Sequence, residues 1–175
     1  MTETGQAFIA QARTFLRTDY LPKIERCLEK LNDGDMWWRA HQDSNSIGNL
    51  LLHLSGNARQ WIVSGIGGAA DRRERQQEFD ARVGLTRAEL LAELRRTLDE
   101  VDAVLARVAP EELLETRQIQ GAEVGVLEAI FHVVEHFSMH TGQIILLTKM
   151  LTESDLRFYD FSTGAPLPAW HGNSD

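Results

Sequence analysis

The chain has 175 residues, 43% of them hydrophobic and 25% charged, with a formal net charge of −8. This is an ordinary globular composition, and the length suits one domain with a substantial core. The acidic balance argues against a general nucleic-acid binder, which carries a basic stripe, and no apolar run approaches the ~20 residues of a membrane span.

From the N-terminus, M-T-E-T-G-Q lacks the basic start and apolar core of a secretory signal, so a cytoplasmic, reducing setting is expected. A first helix is predicted from about Gln6 to Leu31, with Phe8, Ala12, Phe15, Leu16, Ile24, Leu28 and Leu31 at helical spacing and Pro22 kinking or dividing it. Cys27, the only cysteine, lies on this pattern beside Ile24 and Leu28 and reads as a buried, inert thiol. N-D-G-D at 32–35 breaks the chain before Met36, Trp37 and Trp38.

A second helix is predicted from a polar cap near Ser44–Ser46 to about Val63, where S-G-I-G-G ends it. Residues 65–85 are Gly-rich and then charged, and read as a long exposed loop, with R-R-E-R at 72–75 on the surface. Thr86 and Glu89 form a T-x-x-E capping box for a third helix, whose stripe runs from Leu90 to Val108 ahead of Pro110. T-R-Q-I-Q-G-A-E-V-G then reads as a small hairpin or an extended link, and a fourth helix covers about Val124 to Leu151. The tail carries Phe158, Tyr159, Phe161 and Trp170, so its first part should pack on the body, while H-G-N-S-D at the end reads as frayed. Four long amphipathic helices without a sheet predict an all-α, up-down four-helix bundle. One domain, 1–175, is expected, with the bundle over about 5–151 and the tail over 152–175.

The chemistry lies in the histidines. F-H-V-V-E-H-F-S-M-H-T-G-Q places His132, His136 and His140 at four-residue steps on the fourth helix, and His53 sits in N-L-L-L-H-L-S-G-N on the second. Imidazoles at i and i+4 share a helix face and can aim at one divalent metal. A lone H-x-x-x-H pair is a weak motif, and the alternative is a row of half-buried histidines bonded to backbone and neighbouring side chains. His132 and His140 are about 12 Å apart along the axis, too far to share an ion easily. On a helical wheel with Leu127 at zero, the apolar residues, Leu127 and Phe131 included, spread around ~300°. His140 falls near ~220°, His136 near ~180° and His132 near ~140°, so His136 and His140 lie closer to the core. His53 is the natural third ligand, and three imidazoles leave a position for water or substrate, as in catalytic zinc sites. His132 reads as a rim residue or one supporting the ligands from behind. Asn49, Gly56, Asn57 and Gln60 line the edge of the His53 helix like a cavity wall. His41 and His171 lack metal-like spacing.

W-W-R at 37–39, N-S-I-G-N-L-L-L-H-L at 45–54 and E-A-I-F-H-V-V-E-H-F-S-M-H-T-G-Q-I at 128–144 resemble the DinB-like (DinB/YfiT) superfamily of four-helix-bundle proteins, proposed as metalloenzymes. H-x-x-x-H-T-G-Q is the most specific part. The resemblance implies His53, His136 and His140 as the metal triad, zinc or nickel as the ion, and a homodimer to which the tail aromatics could contribute. Some members of that superfamily are thiol transferases or thiol-dependent isomerases. The leading expectation is therefore a metal-dependent transferase joining a low-molecular-weight thiol cosubstrate to an electrophilic small molecule, with Trp37, Asn49, Asn57 and Gln60 orienting the substrate. A bound metal deprotonates the thiol sulfur, so no protein cysteine is needed. Metal-assisted hydrolysis is the second reading, weakened because Glu135 points about 100° from His136. A non-catalytic metal-binding or small-ligand protein is the third. No residue is assigned a catalytic role from sequence.

Overall fold

Each long apolar stretch becomes a helical rod, and the computed structural model, which describes residues 2–170, is mostly helical. The first rod starts earlier than its periodicity predicts. It runs as α1 (Thr2–Thr14), a π-helical segment (Phe15–Tyr20) and α2 (Leu21–Leu28), without an intervening loop. Pro22 explains the division. It has no N–H to offer the carbonyl four residues back, that of Thr18, and its ring crowds that carbonyl. The chain widens into π geometry just before it, and the Thr18 carbonyl instead accepts the Trp170 indole N–H at 3.2 Å. A proline thus creates the acceptor to which the tail is tied.

The second rod is α3 (Ile47–Ala58), continued by a π-helical segment, Arg59–Ile66. It opens on a reciprocal cap: Ser46 Oγ accepts from the Asn49 amide at 3.2 Å while Asn49 Oδ1 accepts from the Ser46 amide at 3.0 Å. The third rod, α5 (Arg87–Leu105), opens on the expected Thr86/Glu89 box. The hairpin alternative for 116–125 is the one adopted: β1 (Thr116–Ile119) pairs antiparallel with β2 (Ala122–Gly125). Gln120 and Gly121 bridge them with φ of 54° and 78°, the signature of a two-residue type I′ turn. A second small pair, β3 (Tyr159–Asp160) with β4 (Leu167–Pro168), folds the tail. The two strand pairs correct a purely helical expectation. His171 and the H-G-N-S-D end lie outside the described residues.

The fourth rod is α6 (Val126–Thr152). Its buried stripe holds Val126, Ala129, Ile130, Val133, Phe137, His140, Thr141, Ile144 and Thr148. Leu127 and Phe131, placed on the core face from sequence, are 41% and 59% exposed. The real stripe is turned about 40° toward the histidines, because its centre is set by Val126, Val133, Phe137 and Ile144 rather than by Leu127. α3 packs on α5 and α6, and α2 on α6, around Ile24, Leu54, Leu94, Phe137 and Ile144. No helix among the described residues is long and apolar enough to cross a membrane.

The long loop after the second rod differs most from its sequence reading. It contains a short helix, α4 (Arg75–Asp80), which packs on α3. Arg73, read as surface within R-R-E-R, has a side chain only 5% exposed, and Glu78 is buried with it. Arg72, Glu74 and Arg75 are exposed as expected, but Arg73 is drawn in against α3 because Glu78, three residues beyond the run, neutralises it. Arg73 Nε donates to Glu78 Oε1 at 2.7 Å and Arg73 Nη2 to Oε2 at 2.8 Å.

Candidate metal centre

α3 and α6 lie side by side and bring His53, His136 and His140 together. One ligand nitrogen from each lies within 4.8 Å of the other two, against the ~4 Å that two bonds of about 2 Å to a shared ion span. His53 and His140 are buried and His136 is half-buried. Among the described residues, this is the one cluster of three such side chains positioned to hold a metal ion.

The outer nitrogens show which face of each ring is free. His140 Nδ1–H donates to Gln143 Oε1 at 2.7 Å, and His140 Nε2 is buried without a partner. His53 Nδ1 lies 2.8 Å from Glu78 Oε2, and a carboxylate only accepts, so the proton is on Nδ1 and Nε2 keeps its lone pair. Arg73 Nη2 also comes within 3.1 Å of His53 Nδ1. A protonated Nδ1 cannot accept from it, so that contact is a side effect of both groups converging on Oε2. His136 Nε2 is buried and unpartnered as well. Orphaned buried nitrogens are costly unless something binds them, and a metal ion is a partner that suits lone pairs.

Burial and neighbouring charge set the protonation. His136 is pushed down to about 3, by burial first and then by His140, His53, His132 and Arg73. Burial also lowers His140, against the opposing Gln143 bond. Neutral imidazole is the form a metal requires. For Glu78, burial alone would raise the carboxyl, but the hydrogen bonds and charges of Arg73 and His53 together outweigh it and hold it below the ordinary carboxylate range. Burial pushes the Cys27 thiol up to about 11, in keeping with an inert cysteine.

His132 stands apart from the three. Its Nε2 accepts from Asn57 Nδ2 at 3.1 Å and its ring packs tilted against Trp61, 4.0 Å between centroids, though its centroid remains 5.2 Å from that of the His136 ring. Of the four residues expected to orient a substrate, Asn57 is buried one turn beyond His53, with its Oδ1 unpartnered. Gln60 accepts from Arg73 Nη1 at 2.9 Å and lines a cavity of about 620 Å³ with Ser55, Gly56, Arg59, Arg73 and Glu78. None of the three histidines lines that cavity, but Glu78 belongs to both places. Trp37 donates to the Leu85 carbonyl at 3.0 Å. Asn49 is fully buried and donates to the Glu78 and Ala81 carbonyls at 2.7 and 3.0 Å. These two hold the loop segment in place and do not reach the histidines. His41 is exposed, far along the loop before α3.

Glu78 and Arg73 were hidden from sequence reading because nothing local distinguishes a buried carboxylate in a charged run. The available signal was Gly56, a mid-helix glycine three residues from His53. A Cβ there would meet Glu78 Oε1 at 2.0 Å, so the glycine marks a close approach.

A family model described as "Protein of unknown function (DUF1572)" matches residues 3–165. Among solved structures, the chain is similar to a DinB-like protein from Bacillus cereus ATCC 10987. The identity is 17% and the TM-score 0.63, over 82% of this chain and 90% of that one. The fold is thus a DinB-like helical fold, as the sequence resemblance implies. Comparison with curated proteins gives no match.

Proposed function

The chain belongs to the DUF1572 family, and we propose that it is a divalent-metal protein whose ion, zinc or nickel, is held by His53, His136 and His140. The observation that carries this is the pair of buried, unpartnered nitrogens, His136 Nε2 and His140 Nε2, facing a third ring whose outer nitrogen is already engaged. The similar Bacillus structure is DinB-like, which supports the same reading at the level of fold.

The activity proposed is transfer of a low-molecular-weight thiol onto an electrophilic small molecule. A divalent ion bound at the triad supplies the charge that deprotonates the thiol sulfur at neutral pH. The protein's own part is to keep three imidazoles neutral by burial, to exclude water from them, and to orient the acceptor through Asn57 and Gln60. Trp37 and Asn49 enter this reading as supports for the loop segment that covers His53. Hydrolysis is less well supported, since among the described residues the two carboxylates considered are poorly placed to serve as its base. Glu135 is more than half exposed, and Glu78 is engaged by Arg73 and His53. His132 supports His136 through the packed Asn57–Trp61 group.

An up-down four-helix bundle as a single domain over 1–175, a cytoplasmic setting and a homodimer complete the proposal. The exposed Leu127 and Phe131 on α6 and Phe161 in the tail offer a dimer apolar surface to bury. Light scattering at working concentration tests the dimer, and a monomer would remove it. For the reaction, the zinc- or nickel-loaded protein is screened with small thiols plus electrophiles, against esters and amides. Turnover confined to the thiol set is expected, and turnover confined to esters or amides would reverse the reading.

A further inference from the structure

We infer that Glu78 is a positioning residue for the metal centre: clamped by Arg73, it holds the His53 proton on Nδ1 and thereby commits His53 Nε2 to the ion. This rests on the metal reading above and adds to it a residue from outside the two histidine helices. The geometry is specific. Glu78 Oε2 lies 2.8 Å from His53 Nδ1, and both carboxylate oxygens are taken by Arg73 Nε and Nη2 at 2.7 and 2.8 Å. Arg73 is in turn braced by Gln60 Oε1 at 2.9 Å. The C-terminal end of α4 is pinned separately. Asn49 Nδ2 reaches the Glu78 and Ala81 carbonyls, and Arg39 Nη2 reaches those of Phe79 and Ala81 at 3.3 and 2.9 Å. Phe79 lies against the His53 ring at 4.7 Å between centroids, which leaves the imidazole little room to turn over.

The chemical reason is that an imidazole offers a metal only the nitrogen that lacks a proton. A carboxylate behind the other nitrogen fixes which one that is, and loss of such a partner typically costs 10–100-fold in metal affinity. Gly56 is part of the device, since any side chain there would occupy the place of Oε1.

Glu78→Gln is the decisive variant because it keeps the size of the side chain. The amide has one acceptor oxygen where the carboxylate offers two, and Arg73 Nε and Nη2 point at both places; with the oxygen on Arg73 Nε, the NH2 takes the place of Oε2 and faces His53. His53 Nδ1 must then accept, and the proton moves to Nε2, the metal side. The tautomer is read from the ring ¹⁵N shifts of His53 in the metal-free full-length chain, and Zn²⁺ affinity is read by chelator competition. The expected result is an Nδ1–H ring in the wild type, an Nε2–H ring in Glu78→Gln, and Zn²⁺ binding weakened about 10–100-fold. Gly56→Ala, which displaces the carboxylate without removing it, should also lose the fixed Nδ1–H tautomer and weaken Zn²⁺ binding. An Nδ1–H ring retained in both Glu78→Gln and Gly56→Ala, or Zn²⁺ affinity within twofold of wild type in either, overturns the assignment. A wild-type chain that binds no Zn²⁺ overturns the metal reading and the purpose of Glu78 with it. That case is distinct, because a failure of Glu78 alone leaves wild type and variant both binding.

Discussion

His132 and His136 lie one turn apart on α6, both half-buried, and their surroundings treat them in opposite ways. The Nε2 of His132 has its partner: Asn57 donates to it, and Trp61 covers the ring. The Nε2 of His136 is buried, unpartnered and facing two more imidazoles. The spacing that places both on one helix face cannot separate them. What separates them is whether the polar atom has a partner, since a buried lone pair left open in a packed protein points to something that binds there.

The largest effect that would break this comparison is on metal binding. His136→Ala, His53→Ala and His140→Ala should each abolish Zn²⁺ retention through dialysis against a mild chelator, because two imidazoles remain where three are needed. His132→Ala should retain the metal, with affinity reduced by no more than roughly 10–100-fold as measured by competition titration. If His132→Ala emptied the site and His140→Ala left it full, the two environments would have been assigned the wrong way round.

Stability of the metal-free protein sharpens the contrast with opposite signs. His136→Leu replaces an unpartnered polar group with an apolar one and should be neutral or stabilising. His132→Leu strands the buried Asn57 amide and should cost about 1–3 kcal/mol. Urea unfolding of both variants measures the difference. Equal destabilisation would mean that the His136 nitrogen is satisfied in solution.

The same contrast leaves a signature in the pH dependence. Because His136 is pushed down to about 3, the metal-free native state stays unprotonated there between its ordinary value near 6.5 and that point, while the unfolded chain takes up a proton. Stability is therefore complete above about 6.5 and falls progressively as pH drops toward 3. His136→Leu should flatten that fall in denaturation midpoints measured across the window. An unchanged slope would assign the loss to other groups.

The histidine pattern was legible because it obeys a local rule. The pairing of His136 with His140 follows from four-residue spacing and from the side of the helix that meets the core. His53 follows from a second apolar helix with a polar edge. The helix starts at Ser46 and Thr86 were legible for the same reason, as caps are written within four residues. Leu127 and Phe131 were misplaced because the neighbours that α6 lacks on that side cannot be read from α6 itself. Glu78 and Arg73 were missed because burying them depends on a meeting 20 to 25 residues away in sequence with His53. Only the close approach at Gly56 hinted at it. The tail was legible as aromatic, but its anchorage on the Thr18 carbonyl follows from what Pro22 fails to donate.

The most direct measurement of the central claim is anomalous diffraction from crystals of the full chain grown with Zn²⁺, recorded on both sides of the zinc edge. One strong internal peak is expected, bonded to Nε2 of His53, His136 and His140 and to no atom of His132. An internal peak coordinated by His132, or crystals with zinc elsewhere and none among these three rings, would contradict the claim.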